Sequence, residues 1–179
     1  MEFFCYHRDR SDSEDLRDTL MEQHWSYMDT YATEMIARGP TLTEDGKTPT
    51  GSIHILDLPT PAAAQAFALN ETYYQAGVYR DVMLRRWRNT LDRTMWEFPG
   101  GPDEGTRYLV LGLGHGEPAD LTPPPHDLIA YGPLLADDGD TWLGTAALVR
   151  APDAQAARTV LTGEYSEVEV HRWQFGGRD

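Results

Sequence analysis

Residues 39–51 read GPTLTEDGKTPTG, and 93 positions later residues 132–144 read GPLLADDGDTWLG. The register pairs Ala37 with Ala130, Gly39 with Gly132, Pro40 with Pro133 and Leu42 with Leu135. It continues through Asp45/Asp138, Gly46/Gly139, Thr48/Thr141, Gly51/Gly144, Pro59/Pro152, Ala63/Ala156 and Ala64/Ala157, all without a gap. With gaps, the starts (EFFCYH and RYLVLG) and the ends (VMLRRWR and VEVHRWQ) also correspond. Solenoid repeats have periods of roughly 20–50 residues. A period this long predicts two copies of a domain-sized unit. The expected layout is a first unit over 1–90, a Gly-, Pro- and Asp-rich linker over 91–105, and a second unit over 106–179.

Each copy can be read locally. Phe3–Tyr6 is an aromatic run too short for a helix and predicts a strand. Ser11 and Glu14 have capping-box spacing. From there Leu16, Leu20, His24, Tyr27, Met28, Tyr31 and Met35 recur at steps of three and four, which predicts one apolar helix face running to near Arg38. EDGKTP is turn chemistry between two strands. In the second of these strands Ile53 and Ile55 share one face, and His54 and Leu56 the other. Thr60 is a natural N-cap with Pro61 behind it, and Asp153 stands at the matching place in the second copy. YRDVMLRRW closes the unit as a strand. The order β-α-β-β-α-β is the ferredoxin-like plan, with both helices on one side of an antiparallel sheet. The bare side needs a partner. The second copy supplies it, so the expected architecture is α+β: two ferredoxin-like repeats in one chain, forming an intramolecular dimeric α+β barrel. In the second copy the first helix is replaced by GHGEPADLTPPPHDLIA, whose prolines forbid a comparable element.

Charge and motifs narrow the partners. Twenty-nine acidic against 15 basic residues give a net charge of −14, which disfavours nucleic acid and anionic membranes. No apolar stretch reaches the roughly 20 residues of a membrane span. The start, MEFFCYHRDR, lacks the basic-then-apolar pattern of a secretory leader. A single cysteine, Cys5, fits a reducing, cytoplasmic setting. There is no GxSxG, CxxC or HExxH motif, and no nucleotide, flavin or haem signature, so no cofactor is expected.

Three imidazoles stand out. His24 lies in the apolar stripe of the first helix, where it can relay a proton. His7 and His54 lie on strands that neighbour each other in this plan, and they meet if their faces coincide. Two histidines and a carboxylate can hold a metal, but no ligand spacing supports one, and no metal is expected. Arg8, Arg38, Arg85 and Arg86 are candidate holders of an anion.

Taken together, MEQHWSYM, ARGPTLTEDGKTPTGSIHILDL and AAAQAFALNETYYQAGVYRDVMLRRW resemble the YciI-like (YCII-related) family, well over about residues 1–90 and weakly over 106–175. The resemblance implies a dimeric α+β barrel with a His and an Asp in a pocket. A related domain carries out cofactor-free dehydrochlorination of an aromatic ring. The family His falls on His24. The family Asp falls on Asn70, which has no charge to offer an imidazolium. Glu71 is adjacent, although neighbours on a chain point in different directions. The candidate catalytic set is therefore His24, Asn70 and Glu71. The candidate ligand contacts are His7, His54, Arg38 and Tyr27. The expected activity is cofactor-free lyase or isomerase chemistry on a small cyclic or aromatic molecule, in a pocket enclosed by the barrel. A non-catalytic ligand-binding module is the alternative. A cofactor-independent monooxygenase is a third reading, by fold analogy. The chain is its own pseudo-dimer, and association into a homodimer is left open.

Overall fold

The computed structural model of the chain describes residues 1–101 and 104–178. The first strand, β1 (Glu2–Asp9), turns Phe4 and Tyr6 to one face and Phe3, Cys5 and His7 to the other, and all five are buried. It is a strand covered on both sides. After it come α1 (Glu14–Asp29), β2 (Met35–Leu42), β3 (Pro49–Asp57), α2 (Pro61–Asn70), the single-turn α3 (Thr72–Gln75) and β4 (Tyr79–Trp87). The second half runs β5 (Arg107–Leu113), β6 (Asp127–Leu135), β7 (Trp142–Arg150), α4 (Ala154–Arg158) and β8 (Glu167–Trp173).

The fold is mixed α+β. All eight strands pair antiparallel and close into a barrel in the order β1-β3-β2-β8-β5-β7-β6-β4. Around the ring the first half supplies β4-β1-β3-β2 and the second β8-β5-β7-β6, one strand order used twice. Two short seams join the halves. One pairs Thr41 with Trp173 and Leu42 with Arg172. The other pairs Arg86 with Leu135 and Trp87 with Leu134.

The repeated phrase acquires its physical reason at these seams. A Cβ on Gly39 would lie 1.9 Å from the Gln174 carbonyl oxygen, and one on Gly132 would lie 1.8 Å from that of Arg88. At both places the chain leaving the other half's last strand passes too close for any side chain. Gly46 (φ +75°) and Gly139 (φ +79°) turn the two hairpins in the left-handed region that favours glycine. Asp45 accepts from the Lys47 N–H (3.1 Å), and Asp138 from the Asp140 and Thr141 N–H groups (2.9 Å each). Each hairpin is then bonded by an arginine from the opposite half. Arg172 donates to the Glu44 carbonyl (3.0 Å) and Arg86 to that of Asp137 (3.2 Å).

The barrel interior is occupied. Phe4, Tyr6, Ile53, Ile55, Leu109, Leu111, Ile129 and Leu148 meet there with Trp87 and Trp173. The pocket expected within the barrel therefore lies elsewhere, because both halves turn large apolar side chains inward. Outside the barrel, Cys5 and Leu56 pack with Met28 of α1 and Phe67 and Ala68 of α2. Val110, Ala147 and Val149 pack with Ala157 and Val160 around α4. The segment 114–126 is not helical. Its Asp120 accepts from Thr162, Gly163 and the Tyr165 hydroxyl, which ties the loop down.

Two local expectations are corrected. The first helix ends at Asp29, not near Arg38. Tyr31 and Met35 kept the helical spacing because both face the Cys5–Phe67 cluster, Tyr31 from the connecting turn and Met35 from β2. Ser11 makes no capping box with Glu14: the helix starts after Ser13, whose side chain makes no cap bond. Thr60 and Asp153 do cap, accepting from Ala63 (3.1 Å) and Ala156 (2.8 Å).

Candidate functional site

On the outer side of the first half, α1 crosses β2 and β3, and a cavity of about 210 Å³ remains between them. Apolar Met21, Trp25, Met28 and Phe175 line it together with Arg17, His24, Arg38, Ser52, His54 and Tyr73. A cavity of roughly 150 Å³ is known to accept benzene, so this one has room for a single substituted ring.

His24 is central to the polar part. It is 8% exposed. Its Nδ1 donates a short hydrogen bond to Oε1 of Glu71, a residue with no solvent exposure. The other carboxylate oxygen accepts from the Tyr74 N–H at 2.9 Å. Burial pushes the Glu71 carboxyl up, but the bonds from His24 and from the backbone N–H groups of Tyr73 and Tyr74 outweigh it and hold it below its usual range. An ionised Glu71 accepts from Nδ1, and this fixes the tautomer. Nε2, free of hydrogen bonds among the described residues, is then the nitrogen with a lone pair. The imidazole stacks on the Tyr73 ring with centroids 4.1 Å apart and planes 9° apart. Burial pushes the Tyr73 hydroxyl up to about 12, so it stays protonated, and it donates to the Arg17 carbonyl at 3.0 Å. Tyr73 is a stacking platform and not a proton source near neutral pH.

His54 lies beside His24, with ring centroids 6.0 Å apart and 2% exposure. Burial above all holds it neutral, pushing its pKa well below the usual imidazole value, and a proton on either neighbouring imidazole, His24 or His7, would push it the same way. Its Nδ1 is buried and makes no hydrogen bond. Arg38 lines the cavity from β2. Its Nε donates to the Gly176 carbonyl (3.2 Å) and it stands 3.6 Å from Asp29. Arg17 is 7% exposed and is gripped by Asp9 through two bonds (2.7 and 2.9 Å) while also donating to the Ser52 hydroxyl (2.8 Å). That grip spends much of its charge inside the protein. Arg17 was missed in the sequence, yet it sits seven residues before His24, two helical turns along the same face.

The other sequence candidates lie elsewhere. His7 forms a second layer. Its Nε2 donates to the Ala68 carbonyl (2.9 Å), its ring stacks on Tyr79 (4.4 Å), and it lies 6.1 Å from His54. The faces of the two strands do coincide, beneath the helices. Tyr27 donates to the Phe67 carbonyl (3.0 Å) and does not line the cavity. Asn70 ends α2 exposed to solvent, also outside the cavity. Arg8 is paired with Asp81 (2.7 Å), and Arg86 donates to the Asp137 carbonyl of the opposite hairpin, away from this cavity. Among the described residues no group of three or more His, Cys, Asp or Glu side chains is arranged to hold a metal ion. A wider cleft of about 600 Å³ at the β2–β8 seam contains His171 bonded to Glu169 (2.8 Å), but its Arg8 is already tied into ion pairs with Asp81 and Glu169.

Among the described residues the second half has no equivalent site. The ladder that pairs His7 with Ser52 pairs Gly112 with Thr145. In that register Ala147 stands where His54 does, and Tyr131 where Arg38 does. The loop 114–126 takes the room that α1 has in the first half, and its Ala119 and Asp120 carbonyls accept from Thr145 and Tyr131.

A buried imidazole–carboxylate pair thus stands beside a one-ring cavity, on the outer side of a mixed α+β barrel. A family model for the YCII-related domain matches residues 1–88. Among solved structures, 5-chloro-2-hydroxyhydroquinone dehydrochlorinase (TftG) from Burkholderia phenoliruptrix AC1100, in complex with 2,5-dihydroxybenzoquinone, is 26% identical. It covers 52% of this chain and 99% of its own, at a TM-score of 0.48. A candidate monooxygenase from Lactobacillus acidophilus NCFM is 6% identical and covers 98% of this chain and 97% of its own, at a TM-score of 0.51, a likeness of fold alone. No curated protein matches the sequence. Among the described residues no helix is long and apolar enough to cross a membrane.

Proposed function

We propose that the chain is a duplicated YCII-related unit, with copies over 1–90 and 106–179 joined by 91–105, in which the first copy keeps the site and the second completes the barrel. The reading for the site is cofactor-free acid–base chemistry on a small cyclic or aromatic molecule. One observation carries it: His24 is bonded through Nδ1 to the buried Glu71 carboxylate at the wall of a cavity the size of one ring. In this reading His24 Nε2 takes a proton from a ring hydroxyl or ring carbon. The electron pair left behind moves a double bond or expels a leaving group. Glu71 stabilises the imidazolium, and Arg38 and neutral His54 face the charge that develops on the ring. General acid–base catalysis of this kind contributes about 10²–10⁴-fold, with the remainder from positioning.

The test must not strand the buried carboxylate. His24→Ala would leave Glu71 charged and unpaired, at a cost of about 3–5 kcal/mol. His24→Asn retains an amide N–H close to the Nδ1 position. The wild type is titrated with catechol, hydroquinone and their monochlorinated derivatives, following the His24 ring resonances by NMR and turnover by absorbance and chloride release. The expected result is a compound that shifts His24 and is turned over, with turnover reduced about 10²–10⁴-fold in His24→Asn at unchanged thermal stability. A compound that shifts His24 without being consumed would make this a binding module. Turnover that survives His24→Asn would remove His24 from the chemistry.

A further inference from the structure

One wall of the cavity comes from outside the YCII-related domain. Gln174, Phe175, Gly176 and Gly177, the chain that follows β8, line it beside Arg38 and Gly39. This segment is anchored at its start. The Gln174 N–H donates to the Pro40 carbonyl (3.3 Å) and the Gly176 N–H to that of Arg38 (3.1 Å). Phe175 sets its ring edge-on to Trp173, 5.4 Å away, and beneath the Arg107 guanidinium at 4.7 Å. Two of its residues are glycines in close quarters, Gly176 against backbone and Gly177 (φ +117°) against the movable end of a side chain. A Cβ on Gly176 would sit 2.7 Å from the Gly39 Cα, and one on Gly177 2.2 Å from the Arg38 guanidinium.

The far end is held differently. Arg178 reaches α1, the helix that carries His24. It pairs with Glu22 (2.6 Å) and Asp29 (3.2 Å), donates to the Ser26 hydroxyl (2.9 Å), and stands 6.0 Å from the ring of Trp25, a cavity wall. Glu22, Ser26 and Asp29 lie at steps of four and three, one stripe along the helix. Side-chain exposure is 41% for Arg178, 71% for Glu22 and 44% for Asp29. Ion pairs this exposed are weak and screened by salt. The segment is thus a strap with a firm hinge at one end and a weak clasp at the other, lying along the cavity in between.

We propose that residues 174–178 form a gate over the His24 cavity, with the Arg178 clasp released to admit a ligand. This rests on the reading that the cavity receives a small molecule, but its test needs none. The full-length chain is treated with diethyl pyrocarbonate, which modifies accessible unprotonated imidazoles, and the rate at each histidine is followed by mass spectrometry. His24 is compared with exposed His126 in the wild type, Arg178→Ala and Glu22→Gln, which weaken the clasp from either side. The expected result is a rise of about fivefold or more in the His24 rate in both variants and in the wild type at high salt, with His126 unchanged. Equal His24 rates in all three proteins would overturn the gate. A rise in Glu22→Gln without one in Arg178→Ala would do the same, because Arg178 makes every contact of the clasp. If the His24 rate rises and no phenol in the panel above ever shifts His24, the gate stands and the acid–base reading falls.

Discussion

His24 and Glu71 meet because of one turn of backbone. Asn70 is the last residue of α2 and faces water. Glu71 follows it in extended conformation (φ −61°, ψ 139°), as the cap that opens α3. That step swings its carboxylate inward to His24. The choice between Asn70 and Glu71 depends on where one helix stops and the next starts, and residue types do not reveal that. His24 was legible, since an imidazole in an apolar stripe is conspicuous. Arg17 was legible in principle from its spacing. The neutral state of His54 was not, since it follows from burial between Phe67 and two other imidazoles. That burial has a pH signature. His7 and His54 both have folded values below the usual 6.5. Below about pH 6.5 the unfolded imidazoles bind protons that the folded ones refuse, so stability is full above that pH and declines as pH falls. Each such group contributes a slope of up to about 1.4 kcal/mol per pH unit. Glu71, held below its usual 4.5, adds a further loss at more acidic pH as it is protonated. Denaturant melts at pH 7.5, 6.5 and 5.5 should show this fall. His54→Gln should flatten it, and an unchanged slope would mean that His54 is charged in the folded protein.

The strands, both hairpins and the two caps were readable, because alternation, Asp-Gly turns and Thr-Pro or Asp at a helix start act locally. The end of α1 was not, because Tyr31 and Met35 serve the same cluster from different elements. The purpose of the Gly-Pro pairs was not either, because what crowds Gly39 is a carbonyl 135 positions further along the chain. The prediction for this seam is strict. Gly39→Ala forces the segment after β8 away from β2 and should cost more than about 3 kcal/mol, at or beyond the top of the usual range for overpacking. Gly101→Ala, with nothing within 4 Å of the added carbon, should change stability by less than about 0.5 kcal/mol. Urea unfolding of both variants decides it. Similar midpoints would mean that the seam is looser than described.

The whole barrel closes only when both halves are present. Residues 1–90 alone would expose Phe4, Tyr6, Ile53 and Ile55 on one face and leave β2 and β4 as open edges. Such a fragment should self-associate, as a pair that rebuilds a barrel or as larger aggregates. Light scattering that finds a stable monomer would show that the first half does not need a second sheet.

Glycine at 112 and alanine at 147 also bear on how such a protein can change over time. In a barrel built from two identical chains, every substitution is made twice, so losing an imidazole from one half loses it from both. A chain that carries both halves on one strand is released from that rule. One half can exchange titratable groups for small apolar ones and give up a helix for a proline-rich loop, while the other keeps its histidines. It can also lend the other half a piece of itself, as residues 174–177 do here for the cavity beside α1. If the chain is the duplicated unit proposed above, the covalent link turns a symmetric object into one with a working side and a supporting side, each free to answer to different demands.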